Sequence, residues 1–437
     1  MSRVKKQYPV KVVSAIMGSG KTTGIFNLMA EEYSKTNKKF FYVSLFNSEV
    51  GDGNKKIKGR IHEDLSFMDF KMPVNRGEGK KENIKDLMKK GYNIATTHAS
   101  FKSFDKEAVQ LMVDGNYTLI IDEALDCIAQ YREWTREEIS PLIESSWMSV
   151  DDAGRLYWAK EGLKKGNKYE EIMKLCDTES LYVYKDEILI WEYPPLLLKS
   201  LEDVYILTYL FEGSIMSSWM EKNDIEWKWL PENVLGLKPE EEIKTQVREN
   251  LTILKSNNLT KLRAEEKKGE NQFSVGWYKR NCVKDGVRDK DKSIVPPTES
   301  MERITKIMES CVNRSKVPSK AIFWTTFGDY KKALAGKGFT QTPRDGLPPF
   351  LAYNTKATNE YRDHSLCMYG VNVFKSMTEI NYLASRGIDF DMDQYSLSEM
   401  VQFLFRSTLR QNLPTKVLVL SGRMEEILEE WLYEGGV

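Results

Sequence analysis

Cysteine and histidine are scarce in this chain. Five cysteines (Cys127, Cys176, Cys282, Cys311, Cys367) and three histidines (His62, His98, His364) are spread over 437 residues. No two cysteines form a C-x-x-C pair, which argues against a zinc site and a disulfide scaffold and fits a reducing compartment. Net charge is lacking too: 64 Lys+Arg balance 64 Asp+Glu. Any polyanion must therefore be bound by a local basic surface rather than by a global field. No stretch approaches the roughly 18 apolar residues of a membrane span, and Met1-Ser2-Arg3-Val4-Lys5-Lys6 lacks the apolar segment of a leader. No membrane partner is expected, and the expected location is the cytoplasm. What is present is apolar material for cores, 41% hydrophobic and 11% aromatic residues. The length exceeds what one core usually serves and predicts two to three domains.

The most informative stretch is Val12-Val13-Ser14-Ala15-Ile16-Met17-Gly18-Ser19-Gly20-Lys21-Thr22-Thr23. An apolar run breaks into Gly-Ser-Gly, and Lys-Thr-Thr then opens a helix. This is the order a phosphate-binding loop needs. Gly18, Ser19 and Gly20 let backbone N–H groups curl round a β-phosphate, Lys21 reaches the β- and γ-phosphates, and the Thr22 hydroxyl ligates Mg²⁺, with Thr23 beside it. Ala15 stands where the pattern G-x-x-x-x-G-K-[ST] has its first glycine, which is tolerable if that residue ends a strand with negative φ. A turn that merely contains G-x-G-K-T is the bland alternative.

Strands alternating with helices predict a parallel, doubly wound sheet, whose sites lie at strand carboxyl ends. The expected strands are Val10–Ser14, Phe40–Phe46, Tyr92–His98 and Tyr117–Ile121, with helices after the loop and through Ile84, Leu87 and Met88. Residues 51–81 read as a basic surface loop. The fourth strand runs into Asp122-Glu123-Ala124-Leu125. Asp122 would emerge at its tip to complete a Mg²⁺ shell, and Glu123 would polarise the attacking water. Two adjacent carboxylates ending a buried strand are costly without a task, so the two motifs together predict an ATPase using ATP and Mg²⁺. A helix-capping Asp-Glu is the bland alternative.

Residues 127–200 read as an insertion: helices Glu137–Trp147 and Tyr169–Cys176, then a hairpin of Ser180–Tyr184 and Ile188–Trp191. Val204–Leu210 is another buried strand. From 219 to 318 the chain is charged and weakly periodic. There Phe273, Trp277, Tyr278, Lys279 and Arg280 interleave aromatics with cations, a pattern that could stack on single-stranded nucleic acid but on its own is weak. A second α/β region starts near Ser319, with strands Ala321–Phe327, Phe350–Asn354 and Lys416–Ser421 and a helix Tyr330–Leu334. A helix opening at Asp393 places Gln402, Arg406 and Arg410 at i, i+4 and i+8. Such aligned donors suit a triphosphate, in the manner of an arginine finger, against the bland reading of a surface stripe paired with carboxylates.

The order of these motifs resembles the superfamily 2 (DEAD/DEAH-like) helicase core over most of the chain. Ala15–Thr22 resembles motif I, Asp122–Leu125 motif II, Leu207-Thr208-Tyr209 a variant of motif III, Ala321–Phe327 motif IV, and Gln402, Arg406 and Arg410 motif VI. Ser385-Arg386-Gly387-Ile388-Asp389 superficially resembles motif V. Ala357–Asp363 and Arg406–Arg410 look most like helicases that bacteriophages or prophages encode for replication. The arginine spacing departs from the family's i+4 and i+7, leaving open whether Arg406 or Arg410 is the finger. No Q motif precedes the loop, although Gln7 and Tyr8 lie near enough in sequence to touch adenine.

The resemblance implies two P-loop NTPase (RecA-like) parallel-sheet lobes with an insertion and a mixed accessory region. The expected division is 1–218 (ATP-binding lobe), 219–318 (accessory) and 319–437 (C-terminal lobe). It also implies an ATP-dependent helicase or translocase on nucleic acid, DNA favoured and single-stranded or forked, in phage replication or recombination. Backbone contacts would come from Thr97, His98, Thr325 and Thr326. The expected protein is a monomer in the cytoplasm of a bacterial host, with replication proteins as possible partners. The alternative is an ATPase that remodels or packages DNA without separating strands; a small-molecule kinase and a scaffold with a degenerate site fit less well.

Overall fold

The computed structural model describes residues 8–45, 47–51, 58–75, 79–102, 104–163, 166–282, 298–355 and 360–433. Gln7, Phe46, Ala357, Thr358, Asn359 and parts of the basic stretch 51–81 lie outside these. In chain order the strands are β1 (Val10–Ser14), β2 (Lys39–Ser44), β3 (Ile94–Thr97), β4 (Tyr117–Asp122), β5 (Ile128–Gln130), β6 (Met148–Val150), β7 (Leu156–Trp158), β8 (Leu181–Tyr184), β9 (Ile188–Glu192), β10 (Val204–Thr208), β11 (Trp227–Trp229), β12 (Leu251–Ile253), β13 (Ile322–Thr325), β14 (Leu366–Tyr369) and β15 (Thr415–Val419).

The chain divides into two compact units. The first comprises Met1–Ala15, Gly20–Leu237 and Ser376–Asp391, and the second Ile16–Ser19, Lys238–Lys375 and Met392–Val437. The expected boundaries at 218/219 and 318/319 do not coincide with the break at 237/238. Among the described residues no helix is long and apolar enough to cross a membrane.

The first unit is built on a six-stranded sheet in the order β11-β1-β10-β4-β2-β3, and every neighbouring pair is parallel. Parallel strands covered on both faces need apolar residues in both alternations, which is why these runs are nearly continuous. Val12, Val43, Leu119, Ile121 and Ile206 enter one core. Val13, Tyr42, Ile120, Tyr205 and Leu207, the alternate positions, enter the other. Register aligns Ser14 with Thr208, Leu207 with Asp122, and Asp122 with Ser44, which in turn pairs with Thr97. The polar ends of five strands therefore form one row.

Between β4 and β10 the middle insertion makes its own small antiparallel sheet, β5-β9-β8, and a β6–β7 pair. The expected helices are present as Arg136–Glu144 and Glu170–Asp177. Thr135 and Glu138 form a reciprocal capping box that starts the first of them. The β8–β9 turn puts both Lys185 (φ 51°) and Asp186 (φ 55°) in left-handed backbone, which suits the twist of the paired strands.

The second unit carries a four-stranded parallel sheet, β12-β15-β14-β13. Residues that read as an accessory stretch contribute to it: β12 pairs with β15, and the helix Glu299–Ser315 lays Ile304, Ile307, Met308 and Cys311 into the core. Phe273, Trp277 and Tyr278 are buried in that same core. The stacking surface read from them is corrected on that ground, since rings enclosed by protein have no free face. Phe350 joins the sheet only as a single bridge to Trp324 rather than as a full strand.

Candidate nucleotide site

The glycine loop after β1 takes the backbone its sequence demands. Gly18 (φ +85°) and Gly20 (φ +98°) lie in the left-handed region, and a Cβ at either would meet no atom within 4 Å. Conformation, not crowding, is what requires glycine there. Ala15 does not take positive φ, and its N–H donates to Thr208 O at 3.0 Å, so it continues β1 and needs no glycine. Within the second unit's short loop segment, Ser19 N–H donates to Ile16 O at 3.2 Å.

The helix Lys21–Thr36 begins at Gly20 with no side-chain cap and no acidic residue in its first turn, which leaves its amino end suited to an anion. Lys21 is 8% exposed and its Nζ donates to Ala15 O. Thr22 is half-buried, whereas Thr23 is exposed and its Oγ1 accepts from Arg60 at 2.8 Å. Gly24, one turn on, is held for another reason: a Cβ there would lie 2.4 Å from Leu235 O.

At the end of β4, Asp122 is 5% exposed. Burial and the neighbouring Glu123 charge push its carboxyl up to about 7, opposed by a hydrogen bond from Tyr42 and by the Lys21 charge. Tyr42 Oη donates to Asp122 Oδ2 at 2.6 Å. Glu123 takes φ +76°, a conformation that costs a non-glycine residue about 1–3 kcal/mol. Its N–H donates to Leu207 O at 2.7 Å, and Thr208 Oγ1 lies 3.4 Å from its Oε2. The strained backbone re-aims the glutamate at the tip of β10.

The donor set fits a magnesium ion in kind. A threonine hydroxyl and a buried carboxylate under-compensated for its charge are hard oxygen ligands, and Mg²⁺ takes one or two such groups and completes its shell with waters and phosphates. A cage of three or more His, Cys, Asp or Glu is not found among the described residues.

Other expected site residues are placed differently. His98 is 6% exposed and its Nε2 lies 3.1 Å from the Asp122 backbone O, tying the end of β3 to the end of β4. Thr97 Oγ1 lies 3.3 Å from Ser100 Oγ. In the second unit Thr325 and Thr326 are 0% and 1% exposed, so neither hydroxyl faces solvent to meet a phosphate in this conformation. The expected helix through Arg410 stops at Leu404. Ser407 then turns extended (φ −85°, ψ −172°) and caps a 3₁₀ turn, Thr408–Gln411. Gln402, Arg406 and Arg410 therefore do not share one helix face. Gln402 Nε2 lies 3.4 Å from Ser398 Oγ. Arg406 is 7% exposed with its guanidinium 5.6 Å from the Phe403 ring centre, and Arg410 is exposed.

Arg386-Gly387-Ile388-Asp389 belongs to the first unit. Arg386 donates to Ala153 O, and Ile388 enters the core. Both contacts fasten this stretch to the first unit. Lys21, Asp122 and Glu123 thus sit at one end of the first sheet with Tyr42, His98 and Thr208. Of these three, Tyr42 carried no signal beyond its place in an apolar strand, while His98 and Thr208 stood out in the sequence for other roles than contact with Asp122 and Glu123.

Residues 128–191 match the family model described as YonV middle domain, and residues 245–432 the one described as YonV C-terminal Rossmann-like domain. The chain is 28% identical over 440 residues to the SPbeta prophage-derived uncharacterized protein YonV of Bacillus subtilis (strain 168), across 97% of this chain and 98% of that protein. Among solved structures, the DUF1998 helicase MrfA bound to DNA and AMPPNP aligns at TM-score 0.38 and 10% identity, over 99% of this chain and 49% of that one. The chain thus spans about half the length of that structure. The chain is a mixed α/β protein with parallel sheets and a Rossmann-like C-terminal domain, similar along nearly its whole length to a prophage-derived protein.

Proposed function

We propose that the chain is an ATP hydrolase that acts on nucleic acid as a superfamily 2-like helicase or translocase, with two RecA-like lobes. The observation that carries the hydrolase reading is the alignment of strand ends in the first sheet. It brings the nearly buried Lys21 that follows β1 and Gly20 to the same end of the sheet as β4, two strands along, which ends in a buried aspartate and a strained glutamate.

In this reading Lys21 and the first turn of its helix hold the β- and γ-phosphates, and Thr22 and Asp122 would hold Mg²⁺, which supplies charge neutralisation at the phosphates when bound. Glu123 orients and deprotonates the attacking water, with Thr208 at its carboxylate. Tyr42 and His98 fix Asp122 through its carboxylate and its backbone carbonyl. Arg406 or Arg410 neutralises charge gathering on the γ-phosphate. Similarity to a prophage-derived protein supports a phage setting. Single-stranded or forked DNA as the track, replication or recombination as the task, a bacterial cytoplasm as the place and a monomer as the acting form complete the proposal. An ATPase that remodels or packages DNA would use the same site.

The test is steady-state ATP hydrolysis by the purified protein, alone and titrated with single-stranded DNA, duplex DNA and RNA at two salt concentrations. Stimulation by one of them names the track. Lys21→Ala is expected to abolish hydrolysis, and Glu123→Gln to bind ATP while losing about 10²-fold or more in turnover. Hydrolysis by Glu123→Gln at the parent rate would remove Glu123 from its role.

A further inference from the structure

The middle domain has an unusual distribution of apolar residues. The core cluster that belongs to it alone holds no ring: Ile139, Leu142, Leu156, Ile172, Leu181 and Leu189, with Met148, Cys176 and Val183, while Tyr182 and Tyr184 on the other face of its sheet are buried in the larger core of the first unit. Its largest rings stand at the rim instead. Trp134, Trp147, Trp158 and Tyr169 are each only half-buried. They form one contiguous patch, with the Tyr169 ring centre 5.7 Å from Trp134, 5.7 Å from Trp147 and 5.6 Å from Trp158. Large rings left partly open in a domain that fills its core with smaller residues mark a surface kept for a partner.

Two lysines select the partner's chemistry. Lys160 Nζ lies 5.3 Å from the Trp147 ring centre and Lys168 Nζ 4.8 Å from that of Tyr169. Both are exposed, and neither has an ion-pair partner among the described residues. Lys174 on the next helix, by contrast, is paired with Glu170 at 2.8 Å. Of the neighbouring acids, Glu170 is held by Lys174 and by Gly166 N–H at 2.7 Å, and exposed Glu171 accepts from Tyr131 Oη at 3.4 Å; Glu161 is the one carboxylate between Leu156 and Tyr169, and Glu133 and Glu144 lie exposed further out. Between Leu156 and Tyr169 the sequence carries four lysines and one glutamate.

Both ends of this stretch are held locally. Trp158 Nε1 donates to Lys160 O at 2.6 Å, and Tyr169 N–H donates to Asn167 Oδ1 at 2.8 Å. Rings already faced by cations repel a second cation, which disfavours an ammonium ligand. They suit a partner that offers negative charge and flat π surfaces together.

The geometry points to this rim as a stacking platform for the bases of a single-stranded nucleic acid, with Lys160 and Lys168 on its phosphates. The inference rests on the nucleic-acid reading proposed above and gives the middle domain a place in it: a grip on the strand outside the nucleotide site.

The test uses the full-length chain and a fluorescein-labelled oligothymidylate of about 20 nucleotides, read by anisotropy against salt and by quenching of tryptophan emission. The double variant Lys160→Glu/Lys168→Glu, at two exposed positions, is expected to keep the parent's melting temperature and its ATP hydrolysis without nucleic acid. It should bind at least tenfold more weakly, with the slope of log affinity against log salt reduced by about 1.4, from 0.7 per phosphate contact on a single strand. Trp147→Ala should lose most of the quenching. Parent-like affinity and salt slope in the charge-reversed variant overturn the inference, as does a parent chain that does not bind the oligonucleotide. A parent that binds it through this rim but never hydrolyses ATP sinks the hydrolase reading and leaves the platform standing.

Discussion

Asp122 is where folding and the proposed chemistry pull apart. In water its carboxyl would ionise near 3.8, and in the folded chain it is pushed up to about 7 by burial and by Glu123. Between those values the folded state binds more protons than the unfolded one, so stability is full below about pH 4 and is lost as pH rises toward 7. At 1.36 kcal/mol per pKa unit the cation-free protein gives up roughly 4 kcal/mol at this residue by pH 8. Asp122→Asn removes the titration, so it should melt higher than the parent at pH 8 and show little advantage at pH 4.5, with Mg²⁺-dependent activity lost. Equal melting temperatures at pH 8 would mean that the carboxylate is compensated by groups other than Tyr42 and Lys21. That Lys21, Asp122 and Glu123 gather at strand ends was legible in the sequence, because each follows an apolar run in a short contiguous pattern. The contacts of Tyr42 and of His98, the latter read as a phosphate-backbone contact, with Asp122 were not, since both reach it only through strand register, across 80 and 24 residues of chain. No pattern confined to one segment records that register.

Among the elements, the helix Met377–Ala384 illustrates what periodicity could not convey. Tyr382 donates to Glu192, which is 0% exposed and also paired with Lys222 at 2.8 Å, while Tyr184 Oη donates to Asn381 O at 3.0 Å. A late segment of the sequence is thereby fastened to the middle domain and to the helix Ile215–Lys222. Removing one partner of a buried ion pair strands the other charge, which costs about 3–5 kcal/mol. Lys222→Met should therefore destabilise by about that much in urea unfolding, and adding Glu192→Gln should restore part of it. A loss near zero in the single variant would show that Glu192 does not depend on Lys222. Elsewhere the apolar run Phe403-Leu404-Phe405 invited a continuous helix, but the Ser407 hydroxyl accepts from Leu409 N–H at 3.2 Å and Thr408 N–H donates to His364 O at 3.0 Å. Those local bonds compete with the helical ladder and end it. The two arginines therefore differ in kind. Arg406→Ala, at a buried position, should lower the melting temperature by several degrees, whereas Arg410→Ala should leave it within about 1 °C. The arginine whose loss stops hydrolysis while ATP affinity stays within a few-fold is the finger; if neither does so, that role leaves this pair.

For the molecule as a whole, the chain passes from one unit to the other at 15/16, 19/20, 237/238, 375/376 and 391/392, so neither unit is a continuous segment. The alternation of strands and helices made a parallel α/β chain legible, because it is local. The division was not, because composition shifts mark linkers along the sequence and cannot mark a segment that returns after more than a hundred residues. That return has an energetic weight. Tyr382, Leu383 and Ile388 all enter the core of the first unit. Burying large apolar side chains contributes about 1.5–3 kcal/mol each, so three together rival the 5–15 kcal/mol that holds a typical domain folded. A fragment of residues 1–237 keeps the whole six-stranded sheet together with Lys21, Thr22, Asp122 and Glu123, yet it lacks these three side chains and the Tyr382 partner of Glu192. It should unfold at least 10 °C below the first transition of the full chain and bind a hydrophobic dye where the full chain does not. Joining residues 376–391 to it through a flexible Gly/Ser linker should recover most of the difference. If the bare fragment melts cooperatively at the parent temperature, the returning segment is dispensable to the first unit, and the proposed nucleotide ligands Lys21, Thr22 and Asp122 stand on the six-stranded sheet alone.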